Sequence, residues 1–199
     1  MILVTAQPFL ATNNLRYREY RSNSMATHGS SKYDYTAPIL VLGLGSTPSG
    51  DDGLGAILLG ELAKQYRYAG GFVEFLDGGT KGLDLLDRVV GRQAIVVLDA
   101  LSTGSKPGTI SVLEGAEVLR YATGDSACSH PGDAHELIAT AAFLGDLPAH
   151  FYVVGMQPGD LHEGARLSTQ VQKSIHQAVI QAQKIIDEWL VELAEPVQA

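Results

Sequence analysis

Four acidic side chains follow predicted strands at positions where an α/β protein commonly places its chemistry. Asp51 and Asp52 come after the apolar run 39–44, Asp77 ends a second β-rich run, and Asp99 directly follows AIVVL. Loops at the carboxyl ends of parallel strands converge on one crevice, so we expect these carboxylates to gather there. With one imidazole they would suit a divalent ion such as zinc or nickel, which accepts mixed oxygen and nitrogen ligands.

His130, in the segment SHPGD before a predicted helix, is the candidate imidazole. Taken alone it is a weak signal, because the chain has six histidines and loop histidines are usually solvated. His135 is the nearest of the others, but it is predicted to lie inside the following helix. The neighbouring Cys128 is a poor candidate nucleophile, since adjacency in sequence is not catalytic geometry.

Each acid also has a purely structural interpretation. Asp51 and Asp52 could be an N-cap and a first-turn acid, stabilised by the dipole of the helix that follows. Asp99 could cap a helix or form a salt bridge, although a carboxylate beside a buried strand needs a partner or a role.

The glycine-rich stretch GLGSTPSGDDGLG, residues 43–55, does not fit a phosphate-binding turn. Pro48 supplies no backbone N–H where a dinucleotide fingerprint needs its third glycine, and the G-K-[ST] ending of a P-loop is missing. The two acids would also repel a phosphate. We therefore expect no nucleotide cofactor.

Short β-rich runs alternate with helical patterns from Pro38 onward. The predicted strands are 39–44, 72–76, 94–98, 109–113 and 151–155, with 109–113 at an edge, and the predicted helices are 54–66, 83–90, 135–144 and 167–190. This alternation predicts an α/β fold, in which a mostly parallel sheet is covered by helices on both faces.

The composition narrows the class of protein. With 22 acidic against 14 basic residues the net charge is −8, which opposes binding to nucleic acid or to an anionic membrane. A single cysteine excludes an internal disulfide. Apolar runs fall far short of the roughly 20 residues that a membrane span needs, and we find no signal-peptide pattern. We expect a soluble, cytoplasmic protein.

The chain is expected to form one domain. Residues 1–37 are polar and turn-rich and are predicted to be a disordered extension, with Met25 as an alternative start. A targeting peptide is less favoured, because Glu19 and Asp34 interrupt that segment. A single α/β domain is predicted for 38–192, followed by a tail at 193–199.

The motifs together resemble those of the hydrogenase maturation endopeptidases, which remove a C-terminal peptide from the large subunit of nickel-iron hydrogenases. The family's G-x-G-N and D-[DE]-G-x-G are similar to GLGS at 43–46 and DDGLG at 51–55, with Ser46 in place of the usual asparagine. Its D-G-G-T, D-A, S-x-H and G-x-x-P segments resemble 77–80, 99–100, 129–130 and 155–158. The match covers residues 38 to about 190.

This resemblance implies a three-layer sandwich around a twisted, mostly parallel sheet. It also implies that Asp52, Asp99 and His130 contact a metal. The ion would be the nickel already placed in the large-subunit precursor, where it acts as a recognition signal. The resemblance places Asp77 in the cleavage chemistry.

Two mechanisms stay open. Nickel could polarise the scissile carbonyl or a bound water. Alternatively, nickel only reports that the precursor is mature, and Asp77 acts as general base, which requires a pKa raised by burial or by neighbouring acids. We favour the second in part, because Asp77 lies outside the proposed metal triad. The glycines at 78 and 79 would leave room for an extended peptide, so Gly78, Gly79 and Thr80 are predicted to contact the substrate.

Two other functions compete with this endopeptidase, which we expect to be monomeric. One is a related peptidase of the same fold that acts on another precursor. The other is a non-catalytic chaperone that binds a nickel-loaded partner; it would have no use for a buried acid beside an open glycine turn.

Overall fold

The computed structural model of the chain describes residues 36–66, 71–123 and 134–194. Residues 1–35 of the predicted extension (1–37) and residues 195–199 of the predicted tail (193–199) lie outside these ranges, as do Cys128 and His130.

Five strands form one sheet: β1 (Ile39–Leu44), β2 (Val73–Gly79), β3 (Ala94–Ala100), β4 (Ile110–Glu114) and β5 (His150–Met156). Their order across the sheet is β2-β1-β3-β5-β4. All neighbours are parallel except β4, which runs antiparallel to β5 at one edge. The mostly parallel sheet and the edge position of 109–113 are confirmed.

The helices are α1 (Leu54–Gln65), α2 (Leu86–Val89), α3 (Ala116–Thr123), α4 (Ala134–Leu144) and α5 (Thr169–Ala194). Short 3-10 helices at Gly50–Gly53 and Gly82–Leu85 precede α1 and α2. The sequence reading missed α3, and the last helix continues past the predicted domain end at 192. Within the described ranges, no helix is both long and apolar enough to cross a membrane.

The sheet separates two hydrophobic cores, as the predicted three-layer sandwich requires. Side chains of α1 and α5 cover one face, where they pack on Val41, Val96 and Leu98. Helices α2 to α4 cover the other face, packed on Leu42 and Val97. Every residue of β1 is buried, and each fully buried Leu or Ile contributes about 1.5–3 kcal/mol.

A partly buried ion-pair network anchors the end of the sheet where the strands begin. Arg92 is 6% exposed, and its guanidinium donates to Glu74 at 2.6 Å and to the carbonyl of Ala37 at 2.7 Å. Arg88 also pairs with Glu74. Burial would raise the pKa of Glu74, but the two arginines outweigh burial and hold it below its usual value. This network lies opposite the candidate site.

Candidate functional site

The predicted site acids lie at the edge of the sheet where the parallel strands end. In the register, Gly43 of β1 is aligned with Asp77 of β2 on one side and with Leu98 of β3 on the other. Two strand spacings of about 4.8 Å put Asp77 and Leu98 roughly 10 Å apart between Cα atoms. Asp99 is the next residue of β3. The sequence therefore predicted correctly that Asp77 and Asp99 lie at the same end of the sheet, where the parallel strands finish.

Asp52 closes the turn that follows β1. Its Oδ2 accepts a hydrogen bond from the backbone N–H of Ser46 at 2.7 Å, across the loop that contains Pro48. Gly45 has φ of +107°, and a Cβ there would lie 1.8 Å from the carbonyl oxygen of Asp52. Only glycine fits such an approach, which explains why the second glycine of the motif is needed.

The structural interpretation of the acid pair is correct for the first-turn position and wrong for the N-cap. Ser49 is the N-cap of the 3-10 helix, and Asp51 and Asp52 both lie in its first turn. Neither acts as an N-cap there: Asp52 accepts from Ser46, and Asp51 binds a distant loop described below.

Asp99 is almost fully buried at the end of the central strand. The residue is 5% exposed, and its Oδ1 accepts the N–H of Ala100 at 2.7 Å. A Cβ at Gly155 would lie 2.1 Å from the carbonyl oxygen of Asp99, so this glycine lets β5 approach closely. The helix-cap alternative is wrong, because the chain continues from β3 through a loop to β4.

Asp77 has a different environment. Its side chain is exposed, and its Oδ1 accepts the N–H of Gly79 at 3.1 Å. The predicted burial of this carboxyl is therefore wrong. Because β2 is an edge strand, its carboxyl end faces solvent where the central strands are covered. An exposed carboxylate is accessible both to water and to a peptide.

The two glycines after Asp77 differ. A Cβ at Gly78 would lie within 2.9 Å of side-chain atoms of Leu85, Leu44 and Leu42, so the protein's own core fills that space. The predicted room for a substrate at Gly78 is therefore absent. Gly79, with φ of +53°, has nothing within 4 Å of its Cβ direction. Thr80 is exposed, and substrate contact at Gly79 and Thr80 stays a prediction.

Asp51 fastens the loop after β5 to the turn that carries Asp52. Asp51 is fully buried, and its carboxylate accepts the N–H groups of Gly159 at 2.7 Å, Asp160 at 3.0 Å and Ser168 at 2.7 Å. Burial would raise the pKa of Asp51, but these hydrogen bonds outweigh it and hold the pKa below its usual value. The carboxylate is therefore a charged structural centre.

A second fastening joins the loops after β3 and β5. The side-chain oxygen of Gln157 accepts the N–H of Thr103 at 2.7 Å and that of Ser105 at 3.2 Å. Together, Asp51 and Gln157 tie the loop after β5 to the loops that follow β1 and β3. These bonds hold the backbone next to Asp52 and the loop that follows Asp99.

Comparison with known proteins gives a consistent result. The family model for hydrogenase maturation proteases matches residues 57–188. The chain belongs to this family. It is 37% identical over 142 residues to the hydrogenase expression/formation protein HupD of Thiocapsa roseopersicina, covering 71% of this chain and 64% of that protein. It is 31% identical over 144 residues to the hydrogenase 2 maturation protease of Escherichia coli, covering 72% and 87%.

Solved structures support the same fold. The hydrogenase maturating endopeptidase HybD from Escherichia coli superposes with a TM-score of 0.66 at 28% identity, covering 75% of this chain and 92% of that one. HybD from Thermococcus kodakarensis gives 0.56 at 26% identity, covering 74% and 98%. The family and the fold expected from the motifs are confirmed, and proteolysis is favoured over a non-catalytic chaperone.

In this hydrogenase maturation protease the predicted third metal contact, His130, lies outside the described residues. Across 36–66, 71–123 and 134–194, no three His, Cys, Asp or Glu side chains are grouped so that they could hold a metal ion. The grouping of Asp52 and Asp99 with His130 thus stays a prediction. His135 lies in α4, as expected, with its ring centroid 4.0 Å from that of Tyr121.

Sequence reasoning missed three polar residues at this edge of the protease. The resemblance assigned the metal contact to Asp52, but nothing local indicated that Asp51 binds the loop after β5. Gln157 lies in the G-x-x-P segment, which was a usable signal. His162 was not singled out; its Nδ1 lies 2.6 Å from Asp160, and its side chain is 92% exposed on the fastened loop.

Proposed function

We propose that this hydrogenase maturation protease removes a C-terminal peptide from the large-subunit precursor of a nickel-iron hydrogenase after nickel has been inserted. The observation that carries the proposal is the strand register. Gly43 of β1 is aligned with Asp77 of β2 and with Leu98 of β3, and Asp99 is the residue after Leu98. The proposed hydrolytic carboxylate, Asp77, and the proposed recognition carboxylate, Asp99, therefore lie at the same end of the sheet, where the parallel strands finish. The family supports proteolysis in hydrogenase maturation, and the motif resemblance supports the tail as substrate.

Nickel in this proposal belongs to the substrate. Asp52, Asp99 and His130 contact the ion as the precursor presents it. Since the N–H of Ser46 engages Oδ2 of Asp52, the Oδ1 atom is the oxygen proposed to face the ion. Carboxylates with one imidazole fit an ion that accepts both oxygen and nitrogen ligands.

Asp77 is the proposed general base. It removes a proton from a water molecule as that water attacks the scissile carbonyl carbon. When the carbon–nitrogen bond breaks, the proton passes to the leaving amine and Asp77 is regenerated. Both water and the peptide can reach the exposed carboxylate, which supports access to the scissile bond. The burial that this role was expected to need is not found in the free protein, so the bound precursor would have to supply it. The open space at Gly79 supports peptide passage beside it.

The test compares nickel-loaded and nickel-free precursor with the purified protein. Gel electrophoresis is expected to show a shortened large subunit only from the loaded precursor. Equal cutting of both forms would remove nickel as the recognition signal. No cutting of either would favour the alternative, a peptidase of the same fold that acts on another precursor. The proposal includes a cytoplasmic, monomeric enzyme, and light scattering during gel filtration tests the monomer.

A further inference from the structure

Strand β2 presents an open backbone edge next to Asp77. The N–H of Ile39 donates to the carbonyl of Phe72 at 3.0 Å, and Ile39 is aligned with Val73. In a parallel ladder, alternate residues of a strand direct both backbone groups to the same neighbour. Even-numbered residues of β2 therefore face β1, whereas Val73, Phe75 and Asp77 direct their N–H and C=O groups away from it.

No strand among the described residues pairs with this outer side of β2. Proteins usually protect an open edge with a short strand, a proline or outward charges. β2 is seven residues long and contains neither proline nor lysine. The carboxylate of Glu74 is occupied by Arg88 and Arg92. The edge is thus competent to accept another extended chain.

The edge leads directly to the proposed catalytic carboxylate. A chain added beside β2 would lie about 4.8 Å from it and would pass Asp77 and the open turn at Gly79. Strand addition of this kind is a recurrent way to bind extended peptides, since main-chain hydrogen bonds tolerate many side chains.

We propose that the outer edge of β2 binds the C-terminal tail of the precursor as an added strand, with the scissile bond at Asp77 and the released peptide lying toward Val73. This inference rests on the proposed function. The nickel-bearing part of the precursor faces the carboxyl ends of the strands, beside Asp52 and Asp99. A tail that leaves it must run from Asp77 toward Val73, so the added strand is antiparallel to β2.

The direct test is residue-resolved amide hydrogen exchange with the Asp77→Asn variant and nickel-loaded precursor. Exchange at Val73, Phe75 and position 77 is expected to slow at least tenfold on binding. The outward amides of the other edge strand, including Val112, serve as the internal control and should not change. Bound precursor without protection at Val73 and Phe75 would overturn the inference.

A matched pair of proline variants tests the same edge during catalysis. Gln157 donates its N–H to the carbonyl of Thr109, so Val112 of β4, like Val73, directs its N–H away from its sheet neighbour. Val73→Pro is expected to raise KM for the precursor at least fivefold and to change kcat less than twofold. Val112→Pro should leave both unchanged.

Equal KM values for the two proline variants would overturn strand addition at β2. The wild-type protein in the same assay tests the proposed function separately. If the wild type cuts the loaded precursor and Val73→Pro cuts it equally well, the inference fails and the proposed function stands. If the wild type does not cut, the proposed function itself fails.

Discussion

Asp77 and Asp99 occupy register positions that face opposite sides of the sheet. Asp77 is in phase with Phe75, which packs on the α1 and α5 side, whereas Asp99 is in phase with Val97 in the core on the other side. Successive residues of a strand alternate between faces, so the two carboxylates approach their common edge from different directions. This geometry favours separate tasks for them over ligation of one ion by both.

Asp77→Asn should therefore abolish hydrolysis and spare recognition. Loss of a general base costs about 10²–10⁴-fold in rate, so we expect kcat for tail removal to fall at least 100-fold. Precursor affinity, measured by surface plasmon resonance, should change less than about threefold, roughly 0.7 kcal/mol. Asp84→Asn, an exposed acid just beyond the same strand, is the matched control. Normal processing by Asp77→Asn would exclude Asp77 from the mechanism.

His130→Ala tests the proposed metal contact. Without the imidazole, the preference for nickel-loaded over nickel-free precursor should drop at least tenfold, about 1.4 kcal/mol. Competition binding with both forms of the precursor measures this ratio. His176→Ala removes an exposed histidine of α5 and should leave the ratio unchanged. If His130→Ala also leaves it unchanged, the metal triad is wrong.

Asp51→Asn tests the fastening of the loop after β5. Replacing a buried carboxylate that accepts three backbone N–H groups should lower the free energy of unfolding by about 2–4 kcal/mol at pH 7. Urea denaturation measures the loss. Asp87→Asn, an exposed acid of α2, should change it by less than about 0.5 kcal/mol.

The same variant predicts a pH dependence. The pKa of Asp51 is lowered in the folded protein. At pH values above the pKa of the unfolded chain, about 3.9, its carboxylate therefore makes its full contribution to stability. That contribution is lost as pH falls through the lower folded pKa. The difference in free energy of unfolding between wild type and Asp51→Asn should therefore shrink as the pH falls from about 5 into strongly acidic solution. A constant difference would contradict the assigned ionisation.

Two glycines of α1 give a paired test of close packing. A Cβ at Gly55 would lie 2.1 Å from the carbonyl oxygen of Leu44 and 2.4 Å from that of Leu98, so Gly55→Ala should destabilise by about 2 kcal/mol or more. Gly60 has open space at the same position, so Gly60→Ala should stabilise by about 0.5–1 kcal/mol. Thermal unfolding measures both, and equal effects would contradict the packing.

Much of the fold could be predicted because it depends on local patterns. The apolar run between Pro38 and Gly45 predicted both ends of β1 correctly. The positions of the acids directly after strands predicted which end of the sheet carries Asp77 and Asp99. Helix α3 was not predicted. Its amphipathic run, AEVLRYAT, is short, and no Ser, Thr, Asp or Asn stands directly before it to mark a helix start.

The environments of individual side chains could not be predicted in the same way. Whether Asp51 or Asp52 faces the interior depends on Gly159 and Ser168, more than one hundred positions away. The exposure of Asp77 depends on β2 lying at the edge, which the order of strands along the chain does not determine. The filling of space beside Gly78 depends on Leu85 from the next turn.

The central claim is hydrolysis of one bond near the C-terminus of the large-subunit precursor. Intact-mass spectrometry after incubation of the purified protein with nickel-loaded precursor tests it most directly. The account predicts a shortened subunit and a released C-terminal peptide, whose masses together exceed that of the precursor by one water molecule. An unchanged precursor mass, with the same precursor cut by another maturation protease, would contradict it.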